Sequence, residues 1–170
     1  MARSNIKVWS ASDFFEKLVA ENKLAVEHEF RFRKITGLDG LEEALASMQS
    51  TKNFVFVQEN AAGYTALDNS PHTRKVRTVF IAMRYKKDDM AAYRRCMDTI
   101  AELQRQFCSR LILERTRVQE NMQFIDPRIN LQEVSQYLIP GTAICMFEIS
   151  VDSYIDLSYD PSEWNTTLNS

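Results

Sequence analysis

The chain has 170 residues, of which 45% are hydrophobic and 26% charged, and its formal net charge is -2. A chain of this length buries enough apolar surface to fold without a disulfide or a metal ion. The near balance of 21 basic and 23 acidic residues argues against a basic surface that binds nucleic acid specifically. We expect a single domain over residues 1–170, with a core over about 11–155 and a C-terminal tail over 156–170.

The cysteines and the apolar runs predict where the chain is made. Cys96, Cys108 and Cys145 are widely spaced and odd in number, which is typical of free thiols in a reducing compartment. The first residues lack the apolar region of a secretory signal, and no apolar run approaches the roughly 20 residues needed to span a bilayer. We therefore expect synthesis and folding in the cytoplasm, with no membrane contact.

The first elements are a helix and a strand. The hydroxyls and the carboxylate of residues 10–13 suit a helix N-terminus, and apolar residues follow at helical spacing: Phe14, Phe15, Leu18 and Val19. Asn22-Lys23 is predicted to end this helix. Residues 26–33 predict a strand, because the alternation places Phe30 and Phe32 on one face.

A second helix, a second strand and a polar segment follow. The helix is predicted over about 41–48, after a cap at Asp39, from four apolar positions: Leu41, Ala44, Leu45 and Met48. Residues 53–58 read as a buried strand. Residues 59–73 are polar, and we interpret them as an exposed loop or a long hairpin arm. Long ordered loops in compact domains are usually functional, so we expect the arm over 60–75 to contact a partner.

The strongest strand and the longest helix come next. Residues 77–85 are apolar on both faces, which predicts a central strand. It follows the strand at 53–58 without an intervening helix, so we expect the two to be antiparallel. Asp88 and Asp89 lie at the positive end of a helix that we predict from about Asp89 to about Leu113.

The later part of the chain adds strands. Residues 122–125 predict a short strand, 131–139 are ambiguous between helix and strand, and 141–154 predict a strong closing strand. The predicted fold class is α+β: a mainly antiparallel sheet packed against one long helix, with a shorter N-terminal helix and a protruding hairpin arm. The long helix covers one face of the sheet. We expect the first helix, or a neighbouring subunit, to cover the other.

The residues that carry chemistry are sparse. The two histidines are His28 and His72, and neighbours on a strand point to opposite faces, so Glu27-His28-Glu29 could supply at most two ligands to an ion. The four glycines are isolated and form no phosphate-binding loop. Helix capping explains Asp88 and Asp89 better than acid–base catalysis does. We therefore predict no enzymatic activity, no metal and no cofactor.

The candidate residues are instead those of an interface. The polar arm and the basic residues that follow it supply one group: Tyr64, His72, Arg74, Lys75 and Arg77. These bases could contact phosphates, although solvated strand ends explain them more simply. Tyr159 and Trp164 in the acidic tail supply the second group, because aromatic residues commonly anchor interfaces. The alternative is that the tail packs back on its own domain.

Several segments between about residue 11 and residue 164 resemble one protein family. The segments are Asn53–Val57, Arg77–Tyr85, Asp88–Met90, Gln106–Leu111, Tyr137–Gly141 and Asp156–Trp164. They resemble the tail-terminator and tail-completion proteins, also called head–tail joining proteins, of tailed phages and prophages. This likeness includes no catalytic motif.

The resemblance implies an α/β sandwich that forms a homo-oligomeric ring, commonly a hexamer, at the head-proximal end of the phage tail tube. The implied partners are the major tail tube protein and the head connector, with DNA passing through the ring. The implied location is the virion, after assembly in the host cytoplasm. A head–tail connector or neck subunit, or another small tail component, is the alternative. A small-ligand-binding domain and an uncharacterised enzyme are further alternatives.

Overall fold

The computed structural model of the chain describes residues 8–36, 43, 46, 53–58, 62–134 and 140–165. In chain order the elements are α1 (Ala11–Glu21), α2 (Lys23–Glu27), β1 (Arg31–Ile35), β2 (Asn53–Gln58), β3 (Gly63–Ala66), β4 (His72–Arg84), α3 (Met90–Gln119), β5 (Gln123–Ile125), β6 (Asn130–Val134), β7 (Thr142–Tyr154) and a 3₁₀ turn (Pro161–Glu163). The predicted α+β class is confirmed. Of the helix predicted over 41–48, only Glu43 and Ala46 are described, and both are helical.

The seven strands form one mixed sheet with the order β1-β2-β4-β7-β5, in which β3 also pairs with β4 and β6 with β7. β1 pairs with β2 in parallel, and the other pairs are antiparallel. The predicted antiparallel pairing of the strand at 53–58 with the strongest strand is confirmed, with Val57 opposite Val79. The central ladder joins β4 to β7 along their full lengths, from His72–Tyr154 to Arg84–Thr142.

The main core lies on one face of the sheet, between the strands and the helices α1 and α3. Phe15 of α1 is fully buried, and its ring centroid lies 5.6 Å from that of Phe107 on α3 and 5.8 Å from that of Phe147 on β7. The two helices therefore share a face. Of the two covers expected for the opposite face, the first helix is wrong, because its apolar stripe packs beside the long helix. Cover by a neighbouring subunit stays a prediction.

The second face of the sheet carries a smaller buried cluster at one end. Phe54 and Phe56 of β2 stack with centroids 5.5 Å apart, and Phe80 and Ile144 belong to the same cluster. Since β4 is buried on both faces here, its predicted central position is confirmed. Towards the start of β4 this second face becomes polar and partly exposed.

The segment between α1 and β1 differs from the prediction. Asn22 does end α1, but its side-chain Oδ1 also accepts a hydrogen bond from the Ala25 N–H at 2.9 Å and caps the short helix α2. His28 is the C-cap of α2, so the prediction that it lies on a strand is wrong. Glu29 has a φ of 54°, and this left-handed residue turns the chain into β1, which begins at Arg31 rather than residue 26.

Helix α3 begins as predicted and ends later. The Asp89 Oδ1 accepts a hydrogen bond from the Ala92 N–H at 2.8 Å, which confirms the expected cap. The helix continues to Gln119 rather than ending near Leu113. Its last turns are held by the buried side chain of Val118 and by the ion pair of Arg117 with Glu114.

Candidate protein interface

The segment predicted as an arm, over residues 60–75, forms one end of the sheet in the structure. β3 and the first part of β4 form an antiparallel hairpin, with Tyr64 opposite Arg74. On its other side the same part of β4 pairs with β7. Gly63 lies where the two hairpin strands approach closely, because a Cβ added there would be 2.0 Å from the Arg74 carbonyl oxygen. Asn60, at the start of the predicted arm, lies outside the described residues.

Pairing across four strands brings a set of side chains together on the second face of the sheet. Tyr64 is opposite Arg74, Arg74 is opposite Asp152, and Asp152 is opposite Phe124. In the neighbouring row, His72 is opposite Tyr154. We call this surface the outer sheet face and define it by six residues: Tyr64, His72, Arg74, Phe124, Asp152 and Tyr154.

An ion pair lies at the centre of the outer sheet face. The Arg74 Nε and Nη2 donate to the two carboxylate oxygens of Asp152, each at 2.7 Å, and Asp126 Oδ2 lies 3.4 Å from the same Nη2. These hydrogen bonds lower the pKa of Asp152 and raise that of Arg74. A bidentate pair of this kind fixes the planar guanidinium in one orientation. The side chains around it therefore sit on a rigid base.

Aromatic rings surround this ion pair. The Arg74 Cζ lies 5.9 Å from the centroid of the Tyr64 ring, and the His72 ring is 5.8 Å from the same ring. Tyr64, Phe124 and Tyr154 are 53%, 48% and 43% exposed, so each presents a large apolar area to solvent. Half-exposed aromatic residues around an arginine are the composition found at the centre of protein interfaces.

The other two basic candidates lie elsewhere. Side chains alternate along a strand, so Lys75 and Arg77 point to the face opposite that of Arg74. There they line a small space with Val8, Trp9 and Val151, and they do not contribute to the outer sheet face.

The two tail candidates form a separate pair. Tyr159 and Trp164 stack with ring centroids 6.2 Å apart and are 47% and 61% exposed. The tail leaves the sheet beside the hairpin, where the Ile155 N–H donates to the Pro71 carbonyl at 3.2 Å. Every residue from 156 to 165 is exposed. The rings of Tyr159 and Trp164 therefore contact solvent as well as each other.

Three residues of this surface were not among the sequence candidates. Asp152, Phe124 and Tyr154 belong to the surface because of their pairing partners. Asp152 did leave a signal, since it is a carboxylate inside a strand that is otherwise rich in apolar residues. Its strand partner Arg74, however, is 78 residues away in the chain.

The described residues offer little of what catalysis or metal binding needs. The three cysteines are free, and burial raises the pKa of Cys96, of Cys108 and, to about 11, of Cys145, so these thiols are poor nucleophiles at neutral pH. No three His, Cys, Asp or Glu side chains within the described ranges are grouped so that they could hold a metal ion. In the same part of the chain, no helix is both long and apolar enough to cross a bilayer.

Comparison with known proteins gives no assignment. No protein-family model matches the chain. A search of curated proteins finds none with significant similarity to it. What the chain does must therefore be inferred from its own residues and from the resemblance given above.

Proposed function

We propose that the chain is a structural protein of a phage tail, a tail-terminator or tail-completion subunit, and that it acts by assembly rather than catalysis. In this proposal it forms a homo-oligomeric ring, commonly a hexamer, at the head-proximal end of the tail tube and joins the tube to the head connector. It would assemble in the host cytoplasm and remain in the virion. The packing of helices against one face of the sheet supports the proposal, since the resemblance implies a sandwich of helices and sheet.

The outer sheet face is the observation that carries the proposal. Tyr64, Phe124 and Tyr154 expose about half of their surface although they lie on hydrogen-bonded strands of one sheet. Leaving such rings in water forgoes the hydrophobic stabilisation of burial, roughly 25 cal/mol for each Å² of apolar surface. A protein partner that covers these rings recovers that stabilisation, and the fixed Arg74 pair orients the partner at their centre.

The proposal is tested by the mass of the chain in solution, measured by light scattering over a concentration series, and by its effect on tail tubes. We expect an assembly of several subunits, in solution or on the tube, and arrest of tube growth in a polymerisation assay. A chain that stays monomeric at high concentration and does not bind tail tubes would contradict the proposal. Binding to the head connector with no effect on tube growth would favour the connector alternative.

The outer sheet face is tested by replacing Tyr64 and Phe124 with serine. We expect assembly or tube binding to weaken at least tenfold, since truncating one interface anchor costs about 1–2 kcal/mol or more. The matched control replaces Ile112 and Leu113 with serine. Both are 62% exposed on α3, so a similar apolar area is lost from another surface.

The control variant should assemble like the unmodified chain. If the two double variants weaken assembly equally, or if the variant of the outer sheet face binds normally, then this face is not the interface.

A further inference from the structure

The sheet has an exposed strand edge on each side. Among the described strands β3 pairs only with β4 and β6 only with β7, so the two edges lie on opposite sides of the central ladder. Residues 62–65 and 130–133 are exposed throughout. A strand edge of this kind presents backbone N–H and C=O groups that another strand can bind.

The alternation of hydrogen bonds shows which backbone groups of β3 point outward. The Val76 N–H donates to the Ala62 carbonyl at 2.8 Å, so the even-numbered residues of this strand bind β4. The N–H and C=O groups of Gly63 and Thr65 therefore point away from β4. They have no hydrogen-bond partner within the described part of the chain.

The same alternation applies to β6. The Asp126 N–H donates to the Ser150 carbonyl at 2.9 Å, so the even-numbered residues of β7 bind the strands on this side. Even-numbered residues of β6 lie opposite even-numbered residues of β7. The backbone groups of Leu131 and Glu133 therefore point outward, and among the described residues they too are unpaired.

The other edges of the sheet are protected. β1 carries three bases on five residues, and charge is one of the means by which proteins keep edge strands from pairing. β5 has three residues, and the outward carbonyl of Ile125 accepts a hydrogen bond from the Arg115 Nε at 3.1 Å. β3 has no charged residue and no proline, so it lacks these protections.

We infer that β3 of one copy pairs with β6 of the next copy, so that the sheet continues from copy to copy. This inference rests on the proposed function, because a ring needs a contact between copies. The register that pairs every outward group places Gly63 opposite Glu133 and Thr65 opposite Leu131, with four backbone hydrogen bonds. A register shifted by two residues would keep only one of these pairs within the two strands.

The directions of the strands agree with this pairing. β3, β4, β7 and β6 alternate in direction, so β6 runs opposite to β3. Copies related by rotation about a ring axis keep these directions, and β6 of one copy meets β3 of the next in antiparallel orientation. The pairing places Thr65 beside Leu131, which is 56% exposed in a single copy. On the second face it places Tyr64 beside Gln132, so the junction adjoins the outer sheet face.

Charge is complementary across the junction. Lys75 lies opposite Gly63 on β4, is exposed and has no ion-pair partner among the described residues. Since Gly63 has no side chain, the Lys75 side chain can extend across it towards Glu133 of the neighbouring copy, two strand spacings or roughly 10 Å away. An ion pair there favours this partner over an uncharged strand.

The offset between the two edges is compatible with a closed ring. Thr65 is level with Thr73 of β4, whereas Leu131 is level, through Phe147, with Val79, six residues further along. Joining the edges displaces each copy by about 20 Å along the strands for four strand spacings, or about 19 Å, across them. Strands tilted by about 46° to the ring axis absorb this displacement, a tilt close to the roughly 35–45° of closed barrels.

A cysteine pair tests the junction in the full-length chain. Residues opposite each other in a hydrogen-bonded antiparallel pair have Cα atoms about 5.5 Å apart, within the range of a disulfide. The double variant Thr65→Cys with Leu131→Cys, oxidised under conditions of assembly, should give a ladder of covalent species beyond the dimer on a non-reducing gel. Each copy contributes both sides of the contact, so the links continue from copy to copy.

The matched control moves one thiol to the other face of the sheet. Thr65→Cys with Gln132→Cys should cross-link no more than either single variant, and the single variants also measure the background of the native free cysteines. A double variant that assembles but cross-links no more than this control, or that stops at dimers, would contradict the head-to-tail pairing.

Hydrogen exchange on the unmodified chain gives a second readout that does not depend on the folding of variants. The outward amides of Gly63, Thr65, Leu131 and Glu133 have no acceptor among the described residues of one copy, so assembly should slow their exchange at least tenfold. If the chain assembles and these amides exchange as fast as in the dilute chain, the inference is wrong while the proposed function stands. If the unmodified chain stays monomeric and does not bind tail tubes, both are wrong.

Discussion

Arg74 connects three parts of the outer sheet face. Its guanidinium on β4 binds Asp152 of β7 in a bidentate manner and lies 3.4 Å from Asp126, which follows β5. With one positive and two negative charges, the cluster has a net charge of about -1 when both carboxylates are ionised. The ion pair is partly screened by solvent, since the Arg74 side chain is 28% exposed and that of Asp152 is 23% exposed. Its main effect is to hold strands and rings in register.

Replacing Asp152 with asparagine should make stability less sensitive to acid. The hydrogen bonds from Arg74 lower the pKa of Asp152 in the folded chain, so the ionised carboxylate stabilises the fold above the ordinary aspartate pKa of about 4. That contribution is lost as the pH falls through the lowered pKa. We expect Asp152→Asn to cost about 1–2 kcal/mol of unfolding free energy at pH 7 and to lose less between pH 5 and pH 2 than the unmodified chain.

Urea unfolding at a series of pH values measures this difference. Asp98→Asn is the control, because Asp98 is exposed on α3 and should change the unfolding free energy little at any of these pH values. Identical acid profiles for Asp152→Asn and the unmodified chain would show that the ion pair does not stabilise the fold.

Some residues of the outer sheet face could be predicted from the sequence. Tyr64, His72 and Arg74 stood out because they lie in a long polar segment. The alternation of side chains already separates Arg74 from Lys75 and Arg77, once residues 72–76 are recognised as strand. Asp152 could not be assigned to the surface in the same way. Its position depends on which two strands pair, and the local sequence does not determine that.

Among the elements, the longest helix, α3, starts at a single capping side chain. The Asp89 carboxylate accepts from the Ala92 N–H at 2.8 Å, and the Asp89 carbonyl accepts from the Tyr93 N–H at 2.9 Å. Both bonds satisfy groups at the first turn of a helix that packs across the sheet. The capping side chain therefore contributes to the docking of the helix as well as to its start.

Asp89→Ala should lower the unfolding free energy by about 1 kcal/mol, the usual cost of losing an N-cap. Asp89→Asn is the matched control, because asparagine caps equally well, and it should stay within a few tenths of a kcal/mol of the unmodified chain. Thermal or urea unfolding measures both variants. Equal losses in the two variants would mean that the charge of Asp89, rather than its capping geometry, is what stabilises the helix.

Long elements could be predicted from the sequence, and short ones only partly. β4 and α3 show their periodicity over 13 and 30 residues, so their type was evident. α2 is five residues long and begins at Asn22, which also ends α1. A helix this short depends on its neighbours more than on its own sequence. The sequence therefore showed no sign of α2 and predicted instead that β1 begins at residue 26. The end of α3 was missed because the apolar pattern thins after Leu111, with Val118 the single buried residue in the last turns of the helix.

For the whole molecule, both long described helices lie on one face of one sheet. Phe15 of α1 joins the two helices to the sheet, since its ring packs against Phe107 of α3 and Phe147 of β7. The sequence predicted the α+β class from the order of the elements. It did not predict the shared face, because the side on which α1 packs depends on the path of the chain through α2 into β1.

Phe15→Ala should lower the unfolding free energy by about 3–5 kcal/mol, because it leaves a cavity where α1, α3 and the sheet meet. Phe15→Leu keeps most of the volume and should cost less than half as much. Leu113→Ala is the control, since Leu113 is 62% exposed and its loss should stay within about 0.5 kcal/mol. Urea unfolding at low protein concentration avoids stabilisation by assembly. Similar losses for Phe15→Ala and Leu113→Ala would contradict this account of the core.

The ladder between β4 and β7 has a consequence for how the chain reaches its native state. Its paired residues are separated by 58 positions at Arg84–Thr142 and by 82 positions at His72–Tyr154. Contacts between residues this far apart in sequence give the chain a high contact order. Closing such large loops costs conformational entropy before the ladder contributes any stabilisation, so folding is slow. On the ribosome, β4 and α3 emerge long before β7, so the centre of the sheet remains incomplete until synthesis has passed Tyr154. Until then the apolar faces of β4 have no strand beside them on the β7 side and are open to aggregation.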